Sequence, residues 1–90
     1  MKIVALCGAG IGTSGILKVS AERALQRLGY DADVIATDVA SIEREGDDAQ
    51  IILTSAEHVE AIGRTFADVI VIDNILDQEE IAAKLEATLG

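Results

Sequence analysis

Cysteine is the strongest nucleophile available to this chain, and its one copy opens the stretch Cys7-Gly8-Ala9-Gly10-Ile11-Gly12-Thr13-Ser14. An apolar run from Ile3 to Leu6 leads into that stretch, and a segment with helical periodicity follows it. A strand, a tight glycine-rich turn and a helix N-terminus together gather backbone N–H groups around an anion. Gly8, Gly10 and Gly12 let the backbone approach the anion closely. The same amides favour a thiolate, so the Cys7 pKa is expected below the ~8.5 of a free thiol. A nucleophile beside a phosphate-shaped pocket predicts a phosphocysteine intermediate. In that reading the amides from Gly8 to Ser14 bind the phosphoryl oxygens. The Thr13 and Ser14 hydroxyls add hydrogen bonds, hold the loop, or cap the helix that follows.

Other glycine-rich loops have other spacings. A dinucleotide fingerprint needs Gly-x-Gly-x-x-Gly, and here Gly8, Gly10 and Gly12 are followed by Ser14. A Walker A loop closes on Gly-Lys-Ser/Thr, and here Thr13 follows Gly12. A plainer reading makes Cys7 a buried, inert strand-end thiol and the glycines only a turn. The Thr-Ser pair at the helix start favours the anion cradle.

The motif from Cys7 to Ser14 resembles the active-site loop of the cytoplasmic enzyme IIB subunits of the bacterial sugar phosphotransferase system. It is most similar to the ascorbate and galactitol branches. The resemblance covers the whole chain, since 90 residues match a free-standing IIB subunit. It implies that Cys7 accepts a phosphoryl group from a phosphohistidine on a IIA partner. It implies further that Cys7 passes the group to a sugar bound in a IIC membrane transporter. The layout also resembles the low-molecular-weight tyrosine phosphatases. Their loop requires Cys-x5-Arg, however, and the corresponding position here is Thr13. Without that arginine the bidentate phosphate clamp is missing. Their Asp-Pro general acid is missing too, because the chain contains no proline. Relay is therefore expected over hydrolysis. A degenerate phosphatase and a passive anion-binding domain stand as the alternatives.

Composition narrows the setting. Ninety residues are expected to make one domain, residues 1–90, with a core that is adequate but not generous. Half of the residues are apolar and the aromatics are only Tyr30 and Phe66, so the core must be aliphatic. A single cysteine forms no internal disulfide, and no stretch reads as a signal peptide or a membrane span. The chain reads as cytoplasmic, with no direct membrane insertion. A formal charge of −9 argues against nucleic acid and against anionic lipid. A protein so acidic must shield a bound phosphate through loop amides rather than a basic patch. With one histidine and no carboxylate constellation at ligand spacing, no metal and no cofactor are expected. A relay that docks its partners in turn is expected to be a monomer. Which sugar it serves is left to the transporter.

The elements that must hold the loop follow from pattern. Lys2–Leu6 reads as a buried strand, and Leu17, Ala21, Ala24, Leu25 and Leu28 form one helical face that stops at Gly29. Further strands are expected over 32–37, 49–54 and 67–72. Asp38 is placed to cap a short helix carrying Val39 and Ile42, and Ser55 to cap another with a Val59, Ile62 and Phe66 stripe. Asp77 and Glu80 read as a capping box opening a final helix whose apolar face is Ile81, Leu85 and Leu89. Four strands alternating with helices predict an open three-layer α/β sheet, all parallel, in flavodoxin-like order 2-1-3-4 with helices on both faces. That order puts the switch point at the carboxyl end of the first strand, where Cys7 lies. Docking is expected around Cys7, through Ile11 and the exposed side of the first helix. His58 reads as a half-exposed helical histidine rather than a proton carrier. Asp73 and Asn74 read as turn residues near the ligand side, and Lys18 as a solvated lysine.

Overall fold

A computed structural model describes residues 1–6, 11–38, 41–45, 48–63 and 65–89, with side chains for all of these except 11–14, 43 and 45. Strand β1 (Lys2–Leu6) leads to helix α1 (Ile11–Leu28) and strand β2 (Asp33–Thr37). Helix α2 (Ile42–Glu45) and strand β3 (Ile51–Thr54) follow. A 3-10 turn (Ala56–His58) then runs into helix α3 (Val59–Ile62), and strand β4 (Asp68–Val71) and helix α4 (Gln78–Leu89) complete the order. The strands form one parallel sheet in the order β2-β1-β3-β4, as the alternation of patterns predicts.

Both sheet faces are covered, so the strands lack alternation: Ile3 to Leu6 and Ile51 to Thr54 are buried throughout. On one face Ile3, Ala5, Ile51, Leu53 and Ile70 pack under α1 and α4, which contribute Leu17, Ala21, Ala24, Leu25, Ile81 and Leu85. Leu28 and Leu89 pack at the margin of that cluster, so both helical stripes point where their spacing predicts. On the other face Val4, Leu6 and Ile52 pack against Ile42 and Ala49, with Ile62 and Ala67 at the edge. Each fully buried aliphatic side chain contributes roughly 1.5–3 kcal/mol relative to leaving it in water. The core is aliphatic, with Tyr30 only packed against it.

Local chemistry explains the ends. At the C-terminus of α1, Gly29 adopts φ 81°. Its N–H donates to the Gln26 carbonyl (3.2 Å), and the Tyr30 N–H to the Leu25 carbonyl (3.0 Å). This pair of bonds is the Schellman stop. Asp38 Oδ1 accepts the Ser41 N–H (2.9 Å) in the turn ahead of α2, which begins at Ile42, so the bond orders that turn rather than capping the helix; Val39 lies outside the described residues. Strand ends fall one or two residues inside the expected ranges. The bonding nevertheless runs on, since the Gln50 N–H reaches the Lys2 carbonyl (2.9 Å) and the Ile72 N–H reaches the Thr54 carbonyl (2.7 Å).

Three further local expectations are corrected. Ser55 precedes the 3-10 turn but makes no side-chain cap hydrogen bond. Phe66 joins no apolar stripe: α3 stops at Gly63, with φ 67°, and Phe66 is fully exposed beyond it. Glu80 does not complete a capping box. Asp77 Oδ1 caps α4 alone, accepting the Glu79 and Glu80 N–H groups (3.1 and 3.2 Å), while the Glu80 carboxylate turns elsewhere.

Candidate functional site

Sheet register fixes where the Cys7 loop leaves the fold. Leu6, the last residue of β1, is in register with Thr37 of β2 on one side and Thr54 of β3 on the other. Val71 of β4 completes the row. The chain enters Cys7 directly after this row, between two neighbouring strands whose connections run in opposite directions along the sheet. That is the switch point at which open α/β sheets bind ligands. Cys7, Gly8, Ala9 and Gly10 themselves lie outside the described residues.

Helix α1 begins at Ile11, so Gly12, Thr13 and Ser14 form its first turn. Thr13 and Ser14 are therefore not the N-caps expected from the sequence; the helix starts earlier, inside the motif. The N–H groups of a first helical turn have no acceptor within the helix. Here those amides belong to the second half of the motif itself, and no acidic side chain occupies that turn. The positive end of the α1 dipole therefore falls within the motif.

Beside that turn runs a groove of about 500 Å³ lined by Gly15, Ile16, Val19, Ser20, Arg23, Leu76 and Gln78. Ile16 and Val19 are nearly half exposed and Leu76 is 70% exposed, an apolar strip on an otherwise charged surface. Charge is uneven as well. Helix α1 carries Lys18, Arg23 and Arg27 against Glu22 alone, in a chain of net charge −9. Lys18 pairs with Glu22 (3.2 Å) and Arg27 with Glu79 of α4 (2.9 Å). Arg23 has no ion pair among the described residues and stands at the rim of the groove.

The connection from β4 to α4 is tied down. The Asp73 and Asn74 N–H groups donate to Glu80 Oε2 (2.7 Å) and Oε1 (3.0 Å). Lys84 Nζ donates to Glu80 Oε2 (2.7 Å) and to the Val71 carbonyl (2.6 Å). The Lys84 hydrogen bond, followed by the Asp73 amide, holds the Glu80 pKa down to about 2. Lys84 is raised in turn, chiefly by the same bond to Glu80. Asn74 Oδ1 accepts the Leu76 N–H (3.0 Å), closing an Asx turn, and Asp73 is exposed. Both thus behave as turn residues, as expected. His58 ends the 3-10 turn half-buried, with Nε2 3.6 Å from Glu57 Oε1.

Sequence reasoning passed over Thr37 and Thr54, which flank Leu6 and are both buried. A hydroxyl ending an apolar strand run was the available signal. It also passed over Leu76 and Arg23. Leu76 was legible only as an apolar residue in a polar turn, and Arg23 only once α1 and the β4–α4 connection were brought together.

A four-stranded parallel sheet in the order β2-β1-β3-β4, with a glycine-rich, cysteine-bearing segment following β1 in sequence, places the chain in the flavodoxin-like α/β class. Within it, residues 2–87 match the family described as the PTS system, Lactose/Cellobiose specific IIB subunit, and the chain belongs to that IIB family. It is also 30% identical, over 90 residues, to the Ascorbate-specific PTS system EIIB component of Mycoplasma pneumoniae, spanning 99% of this chain and 95% of that one. The two likenesses carry different sugar names; what they share is the IIB class. The chain is a phosphotransfer subunit of a sugar phosphotransferase system, a class that works with IIA and IIC partners. Among the described residues no helix is long and apolar enough to cross a membrane.

Proposed function

We propose that Cys7 is the residue that carries the phosphoryl group. In the first step its thiolate attacks the phosphorus of a phosphohistidine on the IIA partner. An S–P bond forms as the P–N bond breaks, and the bonding pair returns to the imidazole nitrogen. In the second step a hydroxyl of the sugar held by the IIC transporter attacks the same phosphorus. The S–P bond breaks, the thiolate is regenerated, and the hydroxyl proton leaves to a base on the transporter side. Metaphosphate-like transfer of this kind asks the protein mainly for positioning and charge stabilisation. Backbone amides from Gly8 to Ser14, with Ala9 and Ile11 among them, supply the cradle, and the Thr13 and Ser14 hydroxyls supplement it. The chain works as a cytoplasmic monomer of one domain.

The observation that carries this reading is the start of α1 at Ile11. It brings first-turn amides with no helical acceptor into the motif itself, four residues after the cysteine. Membership of the IIB family supports it from a separate direction. The absence of arginine at Thr13 argues for retention of the phosphoryl group over its loss to water.

The donor docks along the exposed side of α1. Ile16, Val19 and Leu76 offer it an apolar strip that starts two residues beyond the motif. Arg23, unpaired among the described residues on the least acidic helix, suits a IIA surface with a carboxylate at its rim.

The test is intact mass after incubation with phosphoenolpyruvate, the general phosphotransferase proteins and a candidate IIA. A gain of about 80 Da, one HPO3, in the wild type and none in Cys7→Ser is the expected result. No gain with several IIA partners, together with hydrolysis of a phosphate ester, would make the protein a phosphatase. Neither activity would leave an anion-binding domain with a passive cysteine.

A further inference from the structure

We infer that Glu80 is a positioning residue for phosphoryl transfer: through the Asp73 and Asn74 amides it sets the height of Leu76 against α1, and so the fit of the donor. The inference rests on the reading that the groove beside α1 receives the IIA donor.

A glutamate at this point of a helix has a nearer task, since acids in the first turn stabilise a helix by facing its own amides. Glu80 forgoes that task. Both of its oxygens reach back across the connection to the Asp73 and Asn74 N–H groups, at 2.7 and 3.0 Å. Only 16% of the side chain is exposed, because its carboxylate is turned onto these partners. Lys84 compensates that charge at 2.7 Å and fastens the end of β4 through the Val71 carbonyl at 2.6 Å.

Beyond Asn74 the constraint continues along the chain. The Asn74 side chain fixes the Leu76 N–H, its carbonyl accepts the Asp77 N–H (3.0 Å), and Asp77 caps α4. Each residue from 73 to 77 is thus linked to the first turn of α4 directly or through one neighbour, except Ile75, which packs against the core. Asp73, Asn74 and Asp77 are exposed as well, but the one exposed apolar side chain of this segment is Leu76, opposite Ile16 and Val19. A stabilising device alone has no reason to end on an exposed leucine. A preorganised wall of a docking groove does, because ordering that wall in advance spares the donor the entropy of ordering it on contact. With the Glu80 pKa near 2, the clamp is ionised at neutral pH.

The experiment is steady-state transfer from a phosphorylated IIA donor, on protein already shown to accept phosphate. The variants are Glu80→Gln, Leu76→Ala and the two combined. In Glu80→Gln the amide nitrogen presents a donor where an N–H or the Lys84 ammonium needs an acceptor, so one end of the clamp opens. The expected result is a KM raised about fivefold in Glu80→Gln with kcat within about twofold, since the reacting atoms are untouched. Leu76→Ala gives a similar rise, and the double variant is no worse than the single ones, because both remove the same contact. Amide exchange at Asp73 and Asn74 quickens in Glu80→Gln. A normal KM in Glu80→Gln, with KM raised in Leu76→Ala, would overturn the role of Glu80 and keep the groove. A normal KM in Leu76→Ala would overturn both. A fall in melting temperature with both kinetic constants intact would make the clamp purely structural.

Discussion

The two faces of this sheet are built to different depths. On one, α1 and α4 span residues 11–28 and 78–89 and bury Leu17, Leu25, Ile81 and Leu85. On the other, α2 and α3 have four residues each, and among the described residues of that cluster only Ile42 and Ala49 are buried apolar residues outside the strands. Isolated helices that short have no stability of their own, so the second face is held by the sheet rather than holding it. The deep face is also the one that carries the first turn of α1, the groove and the Glu80 clamp. On the proposal that Cys7 carries the phosphoryl group, the deeper packing lies on the side that has to position it, where positional error costs most.

Core truncations should separate the faces most widely. Leu17→Ala or Leu85→Ala is expected to cost about 2–5 kcal/mol in urea denaturation, against about 1 kcal/mol for the half-buried Ile62→Ala. Equal losses would break the contrast. Acid should sharpen it. The Glu80 pKa falls from an ordinary 4.5 to about 2 on folding. Its contribution is therefore complete above the ordinary value and disappears as pH drops through the lower one. Melting temperature followed from pH 5 to pH 2, a window of about three units around those values, should fall more steeply in the wild type than in Glu80→Gln. Parallel curves would remove the clamp from the stability of the deep face. A smaller effect is expected at the end of α1, where Gly29 holds φ 81°. Gly29→Ala should lose about 1 kcal/mol, the cost of a left-handed non-glycine residue. Smallest of all, Phe66→Ser on the exposed connection should change stability by less than about 0.5 kcal/mol. Chromatography at high concentration would show whether the serine also reduces self-association.

Much of the deep face could be read from residue order alone, because its helices are long enough for periodicity to speak. Leu17 through Leu28 and Ile81 through Leu89 point inward as their spacing requires, and Gly29 and Asp77 mark ends by local chemistry. The 2-1-3-4 order followed from four alternating strand and helix patterns. The shallow face was harder: one turn of helix has no period, and Phe66 was assigned to a stripe that Gly63 had already ended. At the site, the motif was visible, but its division between loop and helix was not. A glycine-rich run gives no propensity signal for a helix beginning at Ile11, so Thr13 and Ser14 looked like caps. Glu80 was misassigned for a related reason. Its spacing from Asp77 fits a capping box equally well, and only the path of the 73–77 connection shows which amides it takes.

The placement of β1 has a consequence for biosynthesis. Of the four strands it is made earliest, yet its two neighbours are residues 33–37 and 51–54. Until Thr54 has been made, one edge of β1 has no strand to pair with, and its buried run from Ile3 to Leu6 faces the cell unpaired. A nascent chain halted before β3 is thus a sticky, unfinished species. Strand β1 gains its second neighbour only when residues 51–54 have been made. Synonymous changes that slow translation just ahead of β3 would lengthen that vulnerable interval, and the yield of folded protein would register it.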